Sequence, residues 1–102
     1  MFENIDFGIG VIKKYIDFNV KEDIPLEQQV DLLKEDLLQV SYHNNYILDI
    51  GWYPEFDEEG IFRVSVIKDY EWNNPIIQKS CRDLKVLYEY VHECINFIQT
   101  KL

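Results

Sequence analysis

Apolar residues along this chain change their period twice. Ile5, Ile9, Ile12 and Ile16 recur at i, i+4, i+7 and i+11. That is the spacing of one helical face, and it predicts a helix over residues 2 to 18. Gly8 and Gly10 interrupt the stripe, each costing about 1 kcal/mol against Ala inside a helix. Asn19 through Ile24 reads as a loop. Pro25 suits the first position of a second helix, where its fixed φ and missing N–H do least harm. Leu26, Val30, Leu33, Leu37 and Val40 then repeat at helical spacing, with Glu27, Gln28, Asp31, Lys34 and Glu35 covering the other face. Ser41 to Asn45 ends this element in turn chemistry.

The period then drops to two. Tyr46, Leu48, Ile50 and Trp52 alternate with Ile47, Asp49, Gly51 and Tyr53, as in a half-buried strand. Pro54 stops it. Phe62, Val64 and Val66 alternate with Arg63, Ser65 and Ile67 beyond a short Gly-containing connection, which predicts an antiparallel hairpin. Asn73, Asn74 and Pro75 mark a turn, and Ile76 to Lys79 reads as a short third strand, at an edge because Pro75 adjoins it. Helical spacing returns with Leu84, Leu87, Tyr88, Val91, Ile95 and Ile98. Ser80 and Asp83 have the spacing of a capping pair for that helix. The expected fold is α+β in the order ααβββα: two N-terminal helices, a three-stranded antiparallel sheet and a C-terminal amphipathic helix. Residues 1–102 form one domain, because 102 residues leave no room for a second.

Composition narrows the function classes. Apolar residues make up 47%, enough to fill a core, so disorder is not expected. Aromatics make up 15%, so a domain this small must leave some rings partly exposed. No apolar run is long enough to span a bilayer, and Glu3 and Asp6 make the N-terminus unlike a secretory signal. Cys81 and Cys94 read as reduced cytoplasmic thiols, Cys94 packing as a small hydrophobe. The net charge of −9 argues against nucleic acid and anionic membrane as partners and favours a basic one.

Catalytic and metal constellations are missing. Gly8-Ile9-Gly10 runs into Val11, Ile12 and Lys13, which breaks the dinucleotide pattern. His43 reads as a solvated turn residue. Glu89 and His92 make a Glu-x-x-His step, but a carboxylate-bridged metal site needs a second such motif on a facing helix. Cys81 and Cys94 have no zinc spacing. No serine or cysteine has an activating context, so the expectation is a protein that is not an enzyme and takes no cofactor or metal.

The charge is concentrated. Residues 45–60 hold five acids and no Lys or Arg, more than half of the net −9. Asp49, Glu55, Asp57, Glu58 and Glu59 are interleaved there with Trp52, Tyr53 and Phe56. A second knot follows at Asp69, Tyr70, Glu71 and Trp72. Aromatic anchors among charge are what protein interfaces use. Asp49, Tyr53, Glu55, Phe56, Asp57, Glu58, Glu59, Asp69, Tyr70, Glu71 and Trp72 are therefore the candidate partner-binding residues. Trp52 shares the face of Leu48 and Ile50 and is read as core. For Trp72, core and interface stay open. The edge strand near Ile76 to Lys79 offers pairing to a second copy.

Gly51-Trp52-Tyr53-Pro54-Glu55, then Gly60-Ile61-Phe62-Arg63-Val64-Ser65-Val66-Ile67-Lys68, Trp72-Asn73-Asn74-Pro75 and the helix from Asp83 to Ile98 resemble immunity proteins of bacterial contact-dependent growth inhibition and related polymorphic toxin systems. The resemblance covers residues 45–98 and rests on no short motif. It implies a cytoplasmic, stoichiometric inhibitor of a cognate toxin C-terminal domain, often a nuclease, and carries no catalytic residues over. An acidic adaptor or regulatory subunit unrelated to toxins is the alternative.

Overall fold

The computed structural model describes residues 5–15, 20–21 and 23–102. Five strands form one antiparallel sheet in chain order: β1 (Val11–Tyr15), β2 (Leu38–Ser41), β3 (Tyr46–Tyr53), β4 (Ile61–Lys68) and β5 (Ile77–Cys81). Among the described residues a single α-helix, α1 (Leu84–Gln99), follows β5 and packs back across the sheet, mainly over β4 and β5. The α+β class holds, but the order ααβββα does not: the sheet has five strands rather than three, and both N-terminal helices are replaced.

The first expected helix fails at its glycines. Gly8 sits at φ 70° with its N–H donating to Asp6 Oδ1, a turn, and the chain beyond it is the strand β1. Val11 and Ile12 are β-branched, which favours that outcome. Ile16, the last residue of the expected stripe, lies outside the described residues. The second expected helix dissolves into two single 3₁₀ turns, Leu26–Gln28 and Val30–Leu32, and then β2. The apolar letters were real: Leu33, Leu37 and Val40 are fully buried. Their periodicity was misleading, because Leu38 and Val40 also alternate with Gln39 and Ser41, and that pattern prevails. Pairing is the physical reason. β2 and the segment before it satisfy the outer edge of β3, with Leu37 N–H donating to the Ile50 carbonyl and Trp52 N–H to the Lys34 carbonyl. A helix would leave those groups of a buried strand unpaired. Gln29 fastens the loop before it. Its buried amide accepts from Lys21 N–H and donates to the Lys21 and Ile24 carbonyls, each at 2.8 Å.

The hairpin is as its alternation requires. β3 and β4 pair with Leu48 opposite Val66, Ile50 opposite Val64 and Trp52 opposite Phe62. These six are fully buried beneath Leu87, Val91, Cys94 and Ile98 of α1. Trp52 and Phe62 meet edge to face, ring centroids 4.8 Å apart. The other face of the sheet carries the buried cross-strand pair Ile47 and Ile67 and a polar row of Gln39, Asp49, Ser65 and Gln78. The third expected strand is β5, and it does lie at the edge. The cap differs: Ser80 belongs to β5, and Asp83 itself caps α1, accepting from Lys85 N–H at 2.7 Å and Val86 N–H at 3.2 Å.

Candidate functional site

The β3–β4 connection begins at the cis Tyr53–Pro54 bond and is tied to the core through one indole. Trp52 Nε1 donates to the Asp57 carbonyl at 2.8 Å, and Gly60 lies against the same ring, where a Cβ would overlap it. Asp57 Oδ1 accepts from Glu59 N–H, closing the turn. With the backbone held from beneath, Glu55, Phe56, Asp57, Glu58 and Glu59 are all exposed, the Phe56 ring by half. Phe56 holds φ 60°, its N–H donating to the Leu33 carbonyl.

That last bond brings in a second segment. Between Leu33 and Leu37 the chain bulges off β3, and Glu35 and Asp36 are exposed beside the loop. Glu55 accepts from Glu35 N–H at 3.2 Å. The Glu35 carbonyl lies over Gly51, where no side chain would fit. A bulge of this kind re-aims side chains at a rim. The field of this pole is felt by Tyr53. Its phenol is pushed above the ordinary range, first by burial, then by Asp49, Asp36 and Glu35, while the Arg63 guanidinium, 4.6 Å over its ring, pulls the other way. Arg82 also reaches the loop, donating to the Glu58 carbonyl.

The remaining candidates are elsewhere. Asp69, Tyr70, Glu71 and Trp72 form the β4–β5 turn, at the far end of the eight-residue β4, roughly 26 Å away at ~3.3 Å per residue. Asp69 and Tyr70 both take positive φ, 56° and 62°. Asn45 holds them: its carbonyl accepts from Asp69 N–H and its amide donates to the Asp69 carboxylate. Tyr70 is 63% exposed and Trp72 46%, which places Trp72 at the surface rather than in the core. Asp49 lies mid-strand in the polar row of β3, and the other sequence-predicted residues are two groups at opposite poles. Sequence reasoning missed Glu35 and Asp36, since only the long-range pairing with β3 brings them to Glu55, and no local signal announces it.

Little else in the described residues has the makings of a reactive centre. Among them, no group of three or more His, Cys, Asp or Glu could hold a metal ion. His43 is exposed in its turn, and Glu89 and His92 are exposed on α1. Burial raises both thiols, Cys94 to about 11 and Cys81 in the same direction, so neither favours the nucleophilic thiolate. A cavity of about 300 Å³ opens at the start of α1, with Lys21, Arg82 and Lys85 beside the apolar Ile24, Leu26 and Leu84. Among the described residues, no helix is long and apolar enough to cross a membrane. No protein-family model, curated protein or solved structure matches this chain.

Proposed function

We propose that this protein is a cytoplasmic immunity protein, which neutralises a cognate toxin domain by docking its acidic pole on that domain's basic cleft. The observation that carries the reading is the convergence of two distant segments, residues 35–36 and 55–59, on one exposed acidic rim around Phe56. A nuclease domain must present cations to hold a polyanion. A rim of fixed carboxylates competes for those cations and draws the partner in, raising the association rate well above that of an uncharged surface. Phe56, exposed at the centre, supplies the apolar anchor that charge alone lacks. The rim is held by backbone hydrogen bonds and the Trp52 indole, so little ordering cost falls on binding. The protein acts by occupancy, one copy per toxin domain, and needs no chemistry of its own.

The test is co-expression with the product of the adjoining reading frame, which this reading expects to be the toxin domain. Rescue of growth and a one-to-one complex on purification are expected. Absence of both overturns the reading. The exposed Tyr70 and Trp72 favour a second reading, an adaptor that docks through its aromatic pole. The two separate on salt, because association through the acidic rim slows as ionic strength rises and association through aromatic rings does not.

A further inference from the structure

We propose that two copies of this chain associate about a two-fold axis through their β5 edges, joining two five-stranded sheets into one. The inference does not depend on the toxin reading. β5 pairs with β4 and lies last in the sheet, so alternate backbone N–H and C=O groups along Ile77–Cys81 point away from it. Edges are commonly defended by an outward lysine. Here the central residue, Lys79, is drawn onto the helix, ion-paired with Glu93 and 5.0 Å from the Tyr90 ring centroid.

What identifies the occupant as a second copy is the opposite character of the two ends of β5. Before the strand lie Glu71 and the exposed apolar groups Trp72 and Ile76, together with Asp69, whose carboxylate is already ion-paired with Lys68 and held by Asn45. After it lie Lys85 and Arg82, the latter also donating to the Glu58 carbonyl. With Lys21 they line the cavity at the start of α1, whose remaining walls include Ile24, Leu26 and Leu84. Asp83 is also there, but its carboxylate is turned onto the N–H groups of Lys85 and Val86. Antiparallel pairing centred on Lys79 sets Ile77 opposite Cys81 of the second copy and Ile76 opposite its Arg82. The acidic, aromatic turn of each copy then faces the basic cavity of the other. A two-fold axis satisfies this complementarity twice, because whatever one copy offers it also receives. The two Lys79 side chains meet on the axis, each bringing its own Glu93. α1 lies over β4 and β5, so the two helices come side by side on one face of the joined sheet.

Sedimentation velocity of the full chain, from micromolar to millimolar concentration, tests this. The mass is expected to rise from one chain to two. Glu71→Lys and Lys85→Glu, both at exposed positions, each weaken self-association by about tenfold or more, since each turns two attractive contacts into like-charge ones. The double variant restores it. Trp72→Ala weakens it while far-UV circular dichroism stays unchanged. A monomer throughout overturns the proposal, as does a dimer that neither reversal weakens or a double variant no stronger than the singles.

Discussion

Gly51 carries no side chain because the Glu35 carbonyl occupies the place of one. Gly51→Ala must push the 33–37 segment off β3, and the expected cost is about 1–3 kcal/mol, read as a lower midpoint of urea unfolding. The sequence suggested nothing of this, since the two residues are joined only by the fold. Other single residues were legible. The alternation of Trp52 with Leu48 and Ile50 predicts a core position, and it is fully buried. Cys94 reads as a small hydrophobe, and it is buried on the core face of α1. Burial lifts its thiol from 9.0 to about 11, with Lys79 opposing the shift. The unfolded chain therefore releases this proton first as pH rises. The stability linked to it is complete below pH 9 and is lost as pH approaches 11. Melting temperatures recorded from pH 8 upward should fall across that window, and Cys94→Ala should fall less steeply.

Elements differ in how openly they declare themselves. α1 was clear, because its stripe from Leu84 to Ile98 has one period and no rival. Its cap is not legible in the sequence, because Ser80 and Asp83 both fit a cap and only the end of β5 decides between them. Asp83→Ala should cost about 1 kcal/mol, seen as a lower melting temperature, while Ser80→Ala should do much less. The N-terminal half departs from its expected helices for a physical reason. Leu33, Leu37 and Val40 satisfy helical spacing, and Leu38 and Val40 satisfy strand spacing, so local pattern cannot choose. The choice is made by β3, whose outer edge needs a partner. Gln29 marks the same lesson from the polar side. It sits inside what read as a helix, yet it is buried because it fastens the loop at Lys21 and Ile24. Gln29→Ala leaves those groups unsatisfied and should cost about 1–3 kcal/mol in chemical denaturation.

Across the whole molecule, the sheet separates what the sequence placed close together. Asp69 to Trp72 follow Glu55 to Glu59 by little more than one strand, and that strand carries them to the opposite pole. Proximity along the chain was a poor guide because an eight-residue strand is nearly as long as the domain is wide. The acidic density itself was legible, as composition alone located it. Its reinforcement by Glu35 and Asp36 was not. Glu58→Lys with Glu59→Lys should lower the association rate with a basic partner about tenfold at low ionic strength, and the difference should shrink as salt is added. Stopped-flow mixing measures both, and unchanged melting would show that the fold is indifferent to these side chains. That indifference has a consequence for how such a molecule diversifies. The loop from Glu55 to Glu59 is fastened by main-chain atoms, by an indole beneath it and by the Glu55 and Asp57 carboxylates, so it is the side chains of Glu58 and Glu59 that can be rewritten without consulting the core. On the proposed docking reading, specificity would sit at those positions, on a surface that can change without repacking what lies beneath it.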